Sequence, residues 1–305
     1  MRFAASPRGD HVQNGVFLAF LAYIAFAISD AAVKFIDGSL DPFQVAFVGA
    51  LLSLVTLPFI RRPDERLSDI FRSTRRRLWL ARAVLTAISA TSSVLAFTHL
   101  SMPEAFSVIF LMPIIVTLLS IVFLKEKVGG WRWSAVLLGF IGVLVVLRPG
   151  FRELGIGHAA SLIAAFSGAG SVVTFRMAGP QEKRISLFGA GLLGALFVNG
   201  LLMLPGWMNP DALQIAYLLV YGLLIAVGQV LIMLAVQYAP ASQIAVPQYS
   251  QMIWALMFSY LVFHQPVDAL SFVGIGLIIA AGLLTWARER IKLPFLRRSS
   301  VIRPR

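Results

Sequence analysis

The sequence predicts an all-α integral membrane protein, with ten transmembrane helices arranged as two inverted five-helix repeats. Three observations carry that expectation. The 305 residues are 58% hydrophobic and only 13% charged, with a mean hydropathy of +0.83, against roughly 25% charged residues in soluble chains. Uncharged runs recur along the whole chain, several of them near the 20 or so residues a helix needs to cross a bilayer core. A layout of apolar run, charged turn and apolar run over Ser101–Pro149 returns about 139 residues later, over Pro240–Arg288.

In the first half, runs free of Asp, Glu, Lys and Arg cover His11–Ser29, Phe43–Ile60, Ala83–Pro103, Ala105–Leu124 and Trp133–Leu147. In the second half they cover Leu154–Phe175, Ile185–Pro210, Ala212–Val267 and Ala269–Ala287. The run from Ala212 to Val267 is too long for one span. It divides at Ala239-Pro240-Ala241-Ser242, where proline removes a donor and disfavours helix in the residue before it. That makes five helices per half, with repeats over 1–149 and 150–290 and a basic tail over 291–305. The first run has no small-residue cleavage site behind it, so it reads as a retained helix and not a removed signal.

The loops give an orientation. Arg2, Arg8, seven arginines from Arg61 to Arg77, Lys125, Lys127, Arg132, Arg176, Lys183, Arg184 and seven basic residues from Arg288 to Arg305 all fall on one side. These are 22 of the 26 basic residues, with only Arg148 and Arg152 opposite. The positive-inside rule then places both termini in the cytoplasm, of a bacterial inner membrane. Because five is odd, the second half starts on the side opposite to the first, and the repeats are inverted, a common plan for alternating access.

The same features exclude other classes. A net charge of +12 suggests nucleic acid, but the basic residues sit in short clusters between apolar runs, so no nucleic-acid partner is expected. With no cysteine there is no disulfide, thiol chemistry or thiolate metal site. The four histidines show no HExxH spacing, and no GxxxxGK[ST] loop marks an ATP-driven pump. No metal or cofactor is expected.

Two five-helix halves, each ending in a bent helix, a short turn and a Gly-rich last helix, resemble the drug/metabolite transporter superfamily, EamA type. The residues that carry the resemblance are Pro113, Leu124-Lys125-Glu126-Lys127, Gly139 and Gly142, then Pro247, Gly276 and Gly282. The second-half counterpart of the charged turn, His264-Gln265-Pro266, has no acidic residue, which departs from a symmetric pattern. The resemblance implies a ten-helix secondary transporter with a central cavity, working without ATP hydrolysis on amino acids, vitamins, nucleoside-like metabolites or drugs. A channel or sensor is the alternative, and an intramembrane enzyme a more distant one.

Ionisable residues within a membrane mark candidate functional positions. Asp30 and Lys34, at i and i+4, share a helical face and read either as an ion pair near the interface or as a gate or substrate contact. Arg82 reads as an interface anchor or a coupling residue. Glu104, after Pro103 at the start of the fourth helix, reads as a helix N-terminal charge or as a proton-coupling gate. It aligns with Gln243 in the second half. The ninth helix holds the densest neutral polar set, and Gln248, Tyr249, Gln251 and Trp254 are expected to line a cavity beside Pro247, where amides facing lipid would be expensive. Interhelical hydrogen bonding is the competing use of these groups. Gln229 and Tyr23 are further cavity candidates. His99, His158 and His264 sit at span ends and read as interfacial.

Overall fold

The computed structural model describes residues 8–62, 64–125, 130–148, 153–179, 182–239 and 247–295. Every regular element among them is helical. Helix α1 runs Arg8–Ile36, α2 runs Pro42–Ser53 and continues through a 3-10 turn into Leu57–Ile60, and α3 runs Arg76–His99. Helix α4 comes in two pieces, Met102–Ile109 and Met112–Leu124, and α5 is Gly130–Leu147. The second half follows as α6 Ile156–Ala178, α7 Arg184–Leu202, α8 Ala212–Tyr238, α9 Ser250–Leu261 and α10 Ala269–Phe295. Among the described residues seven helices are long and apolar enough to cross a membrane, with shorter apolar stretches at Trp133–Leu147 and Ala269–Leu284. Helix α8 stops at Tyr238, where the sequence places a break. The break residues Pro240, Ala241 and Ser242, the turn residues Glu126 and Lys127, Arg152, Gln243 and residues 296–305 lie outside the described residues.

The bend in α4 has a local cause. Pro113 has no N–H to give the Ile109 carbonyl, so the ladder opens at Phe110–Leu111. The Leu111 N–H closes on Val108 at 3.0 Å, a 3-10 contact, before the α ladder resumes with Ile115 on Leu111 at 2.9 Å.

Packing is inverted relative to a soluble protein. The buried set is rich in alanine and small polar residues such as Ser29, Ser107, Ser161 and Ser186, while Phe17, Phe59, Val122, Phe197, Leu201 and Tyr260 point outward. Lipid removes the hydrophobic drive between helices, so close approach by small residues holds the bundle. Helices α5 and α10 cross at Gly142 and Gly274, where a Cβ on either would lie within 2.8 Å of the other's carbonyl oxygen.

The helix pairing reveals the internal symmetry. Helix α1 packs on α8 as α6 packs on α3, α3 on α7 as α8 on α2, and α4 on α6 as α9 on α1. Contacts α2–α7, α4–α9 and α5–α10 map onto themselves. Adding five to every helix number therefore maps these principal contacts onto one another, as two inverted repeats about a two-fold axis in the membrane plane require.

Two related latches join loops of opposite halves. On the basic side, the loop between α2 and α3 meets the loop between α6 and α7. There Glu65 accepts the N–H groups of Arg184 at 2.6 Å and Ile185 at 3.3 Å, Lys183 pairs with Asp69 at 2.7 Å, and Glu182 accepts from Arg75 N–H at 2.9 Å and from Thr74. On the far side, the buried Gln44 at the start of α2 donates to the Met208 carbonyl at 2.8 Å and accepts its N–H at 3.1 Å. Gln214 donates to the Ser39 hydroxyl at 2.9 Å. Also on the far side, Arg148 clasps α5 to α10 through Asp268. Burial pushes the Asp268 carboxyl up, but the Ser271 N–H, its hydroxyl and Arg148 outweigh it, and the group titrates well below the usual carboxylate range.

Candidate functional site

Five helices from both halves line a cavity of about 250 Å³. Helix α2 lines it with Ala46, Gly49, Ala50 and Ser53, and α8 with Tyr221, Ile225 and Gln229; both spacings lay one helical face along the wall. Asp30 and Val33 come from α1, Thr86, Ala90, Ser93, Val94 and Phe97 from α3, and Gly191, Leu192 and Ala195 from α7. Small side chains where faces meet leave the space. Tyr221 is set by Gly49, at which a Cβ would lie 2.4 Å from the ring, and by Ser29, whose hydroxyl donates to the Tyr221 carbonyl at 2.9 Å.

Among the described residues Asp30 is the only carboxylate lining this cavity, and no hydrogen bond or ion pair joins it to any of them. The carbonyl oxygen of Gln229, on the facing helix, is buried and equally without a partner. Buried polar groups are almost always satisfied, so two unspent groups in one cavity mark it out. The ion pair with Lys34 that the sequence allows is not formed. Lys34 instead donates to the carbonyls of Leu100 at 2.7 Å and Phe97 at 3.3 Å, the open end of α3, and lies 5.9 Å from the Phe263 ring centroid. A cation at a helix C-terminus meets both orphan carbonyls and the negative end of the dipole, and that outcompetes the neighbour one turn away.

A second cavity, of about 260 Å³, lies toward the basic side between α4, α5, α6, α9 and α10. Pro113, Thr117, Ser120, Arg176, Tyr249 and Gly282 are among its lining residues, and Arg176 donates to the Ser120 hydroxyl at 3.0 Å. A chain of rings separates the two cavities. Phe97, which lines the first, stands 5.0 Å from Phe106; Phe106 is 5.9 Å from Phe110, and Phe110 is 5.8 Å from Tyr249 in the second.

A family model described as the EamA-like transporter family matches residues 13–148 and again 155–287. The chain belongs to the EamA-like transporter family. An S-adenosylmethionine uptake transporter of Rickettsia prowazekii (strain Madrid E) is 23% identical over 91% of this chain and 94% of the relative. The pseudopaline exporter CntI of Pseudomonas aeruginosa (strain UCBPP-PA14) is 25% identical over 92% and 98%. A riboflavin transporter of Rhizobium johnstonii is 26% identical over 90% and 91%. One solved crystal structure shares the fold at a TM-score of 0.63 and 12% identity, covering 91% of this chain and 98% of that one. As an EamA-like transporter the chain is an integral membrane protein that carries small metabolites, not an enzyme.

The other sequence candidates of this EamA-like chain fall in different places. Gln229 lines the Asp30 cavity and Tyr249 the basic-side one. Gln248, Gln251 and Trp254 line neither. Gln251 is buried, and Trp254 stands 6.1 Å from Phe20 with its indole N–H unpartnered. Tyr23 packs against the cluster of Ala19, Ala235 and Ala239, where α1 meets the end of α8, and lies edge-on to Phe26 at 5.9 Å. Arg82 ties α3 to its neighbours, donating to the carbonyls of Leu187 at 2.6 Å and Ser171 at 2.8 Å and standing over Phe175 at 4.8 Å. Glu104 meets His158 Nε2 at 3.1 Å on the far side, so His158 is engaged with a carboxylate rather than merely interfacial. The Gly155 N–H points at His158 Nδ1 at 3.1 Å, leaving Nε2 to carry the proton that Glu104 accepts.

Sequence reasoning missed Tyr221, Ser53, Thr86 and Phe97. Single tyrosines, small polar groups and phenylalanines in apolar runs are ordinary, and only the eight-residue, two-turn step from Tyr221 to Gln229 hinted at a shared face.

Proposed function

We propose that this EamA-like protein is a secondary active transporter working by alternating access, and that its substrate occupies the cavity holding Asp30, Tyr221 and Gln229. The observation that carries this is the pair of unpartnered groups, Asp30 and Gln229, in a space shared by both halves, the place where transporters of this plan bind. The ring chain from Phe97 to Tyr249 then acts as the partition between the substrate and the basic side. Trp254 serves α9–α1 packing and Tyr23 α1–α8 packing in this conformation, and these two, with Gln248 and Gln251, reach the substrate only as the halves move.

The relatives named for S-adenosylmethionine, pseudopaline and riboflavin include both an uptake system and an exporter. They support a substrate of the amino-acid, vitamin or nucleoside-like kind, or a drug, and favour neither direction. We place the protein in the bacterial cytoplasmic membrane with both termini inside, supported by the charge asymmetry and by the basic loops meeting on one side. The repeats are taken as 1–149 and 150–290, and a proton as coupling ion, held at Glu104.

Purified protein in liposomes tests the assignment. Saturable counterflow that stops when Ala50→Phe fills the cavity is the expected result. Ohmic current would make it a channel, and counterflow untouched by Ala50→Phe would move the site elsewhere.

A further inference from the structure

Around the Asp30 cavity, every nearby cation is already committed. Lys34, one turn beyond Asp30, is held by the carbonyls of Phe97 and Leu100. Arg82, one turn before Thr86 on α3, is held by the carbonyls of Leu187 and Ser171. Among the described residues none supplies a counter-charge for the Asp30 carboxylate. An unpaired carboxylate away from bulk water is costly, and an opposite charge with a hydrogen-bond donor offsets that cost best. The rest of the wall is apolar apart from hydroxyls and the Gln229 amide, whose buried oxygen lacks a donor. Aromatic rings of Phe97 and Tyr221 flank the space, and such faces attract cations.

We infer that this cavity selects a small organic cation, an ammonium compound carrying a compact apolar or aromatic body, with the ammonium on Asp30. The inference rests on the cavity being the substrate site and adds the charge and size of what enters it. About 250 Å³ falls just under the usual range of ligand pockets, about 300–1,000 Å³, which suits one or two fused rings. An anion meets Asp30 with the wrong sign. A neutral isostere fills the walls but leaves the carboxylate uncompensated.

The test uses the full-length protein in detergent or nanodiscs, with probes matched in shape and differing in charge. Phenethylamine and tryptamine are compared with phenylethanol and tryptophol, and with 3-phenylpropionate, by calorimetry and by thermal shift. The amines are expected to bind at least about tenfold more tightly than the alcohols, as for a desolvated charge pair, and 3-phenylpropionate not at all. Asp30→Asn should bring amine and alcohol within about twofold of each other, while Asp30→Glu keeps the preference. Alcohols binding as tightly as amines in the unmodified protein, or no amine binding at all, would overturn the inference without any variant. An amine preference that survives in Asp30→Asn would overturn it as well. Ala50→Phe separates the two levels. If it blocks the probes while no amine preference exists, the site stands and the cation reading falls; if it blocks none of them, the site itself is wrong.

Discussion

The two latches are images of each other under the exchange of repeats, yet they are built from different chemistry. On the basic side a carboxylate does the joining: Glu65, from the loop after α2, caps the N-terminus of α7, which has no capping side chain of its own. On the far side α2, the counterpart of α7, is capped by its own Asp41, which accepts from Phe43 at 2.8 Å and Gln44 at 3.3 Å. The crossing contact is then left to the neutral amide of Gln44 on Met208. One latch holds a helix N-terminus with a charge supplied by the other half, so opening it strands a buried carboxylate and bare N–H groups. The other parts at two neutral hydrogen bonds, each worth about 1 kcal/mol. A symmetric frame thus carries chemically unequal latches, and if they act as gates, opening should be harder on the basic side.

The largest expected effect is from Glu65→Ala. It removes a buried charge and uncaps α7, which should destabilise the protein by about 1–3 kcal/mol. A cysteine placed at Thr117, in the basic-side cavity, should react several-fold faster with a polar maleimide. Unchanged reactivity would mean the acidic contact is not a gate.

Acidification should weaken the same latch. Hydrogen bonding from Lys183 and the Arg66 N–H holds Asp69 below its ordinary range. Burial raises Glu182, but donation from Thr74, the Arg75 N–H and Ser73 holds it low. Both lie at the protein's edge, so their donors outweigh their cover. A carboxyl depressed in the folded state stabilises above its unfolded pKa, about 4, and that contribution is lost as pH falls through the folded value. Thr117 labelling should therefore rise below about pH 4. Asp268 titrates low as well, on the far side, so global melting would mix the two. The local label is the discriminating readout, and a pH-independent signal would break the comparison.

Glu104→Gln probes the far side differently. Its partner His158 and the nearby Lys34, His264 and Asp268 lie off the amide latch. If Glu104 couples a proton to the substrate, transport should lose its pH dependence while expression and binding persist. A retained pH profile excludes the residue as the proton site.

Smallest of all is Gln44→Leu, expected to cost about 1–2 kcal/mol through two lost hydrogen bonds, with labelling increased only at far-side positions. A larger effect than that of Glu65→Ala would reverse the ranking of the gates.

How much of this was legible in the sequence differs by element. The helices followed from uncharged run lengths, and the α4 bend from Pro113, because backbone satisfaction in lipid is a local demand. The one-sided gathering of the loops followed from arginine counts, but the same counting hid Glu65, Asp69 and Glu182 among the bases around them. Lys34 shows why a helical face is not a contact: the i, i+4 step put it beside Asp30, and the end of α3 took it away. The ninth helix drew attention for its glutamines, yet the unspent polar groups that share a cavity sit on α1 and α8.

The sequence by itself determined the number of spans, their inverted arrangement and the family, since each depends on hydropathy, loop charge or motif order within a stretch of chain. Tertiary structure alone decided which polar groups were satisfied. Asp30 is notable not for being acidic but for meeting no partner among the described residues, and that depends on where α3, α8 and their carbonyls end up. Latch chemistry is likewise a property of loops more than 100 residues apart. Such pairings are set by the packing of whole helices, which no local pattern of residues encodes.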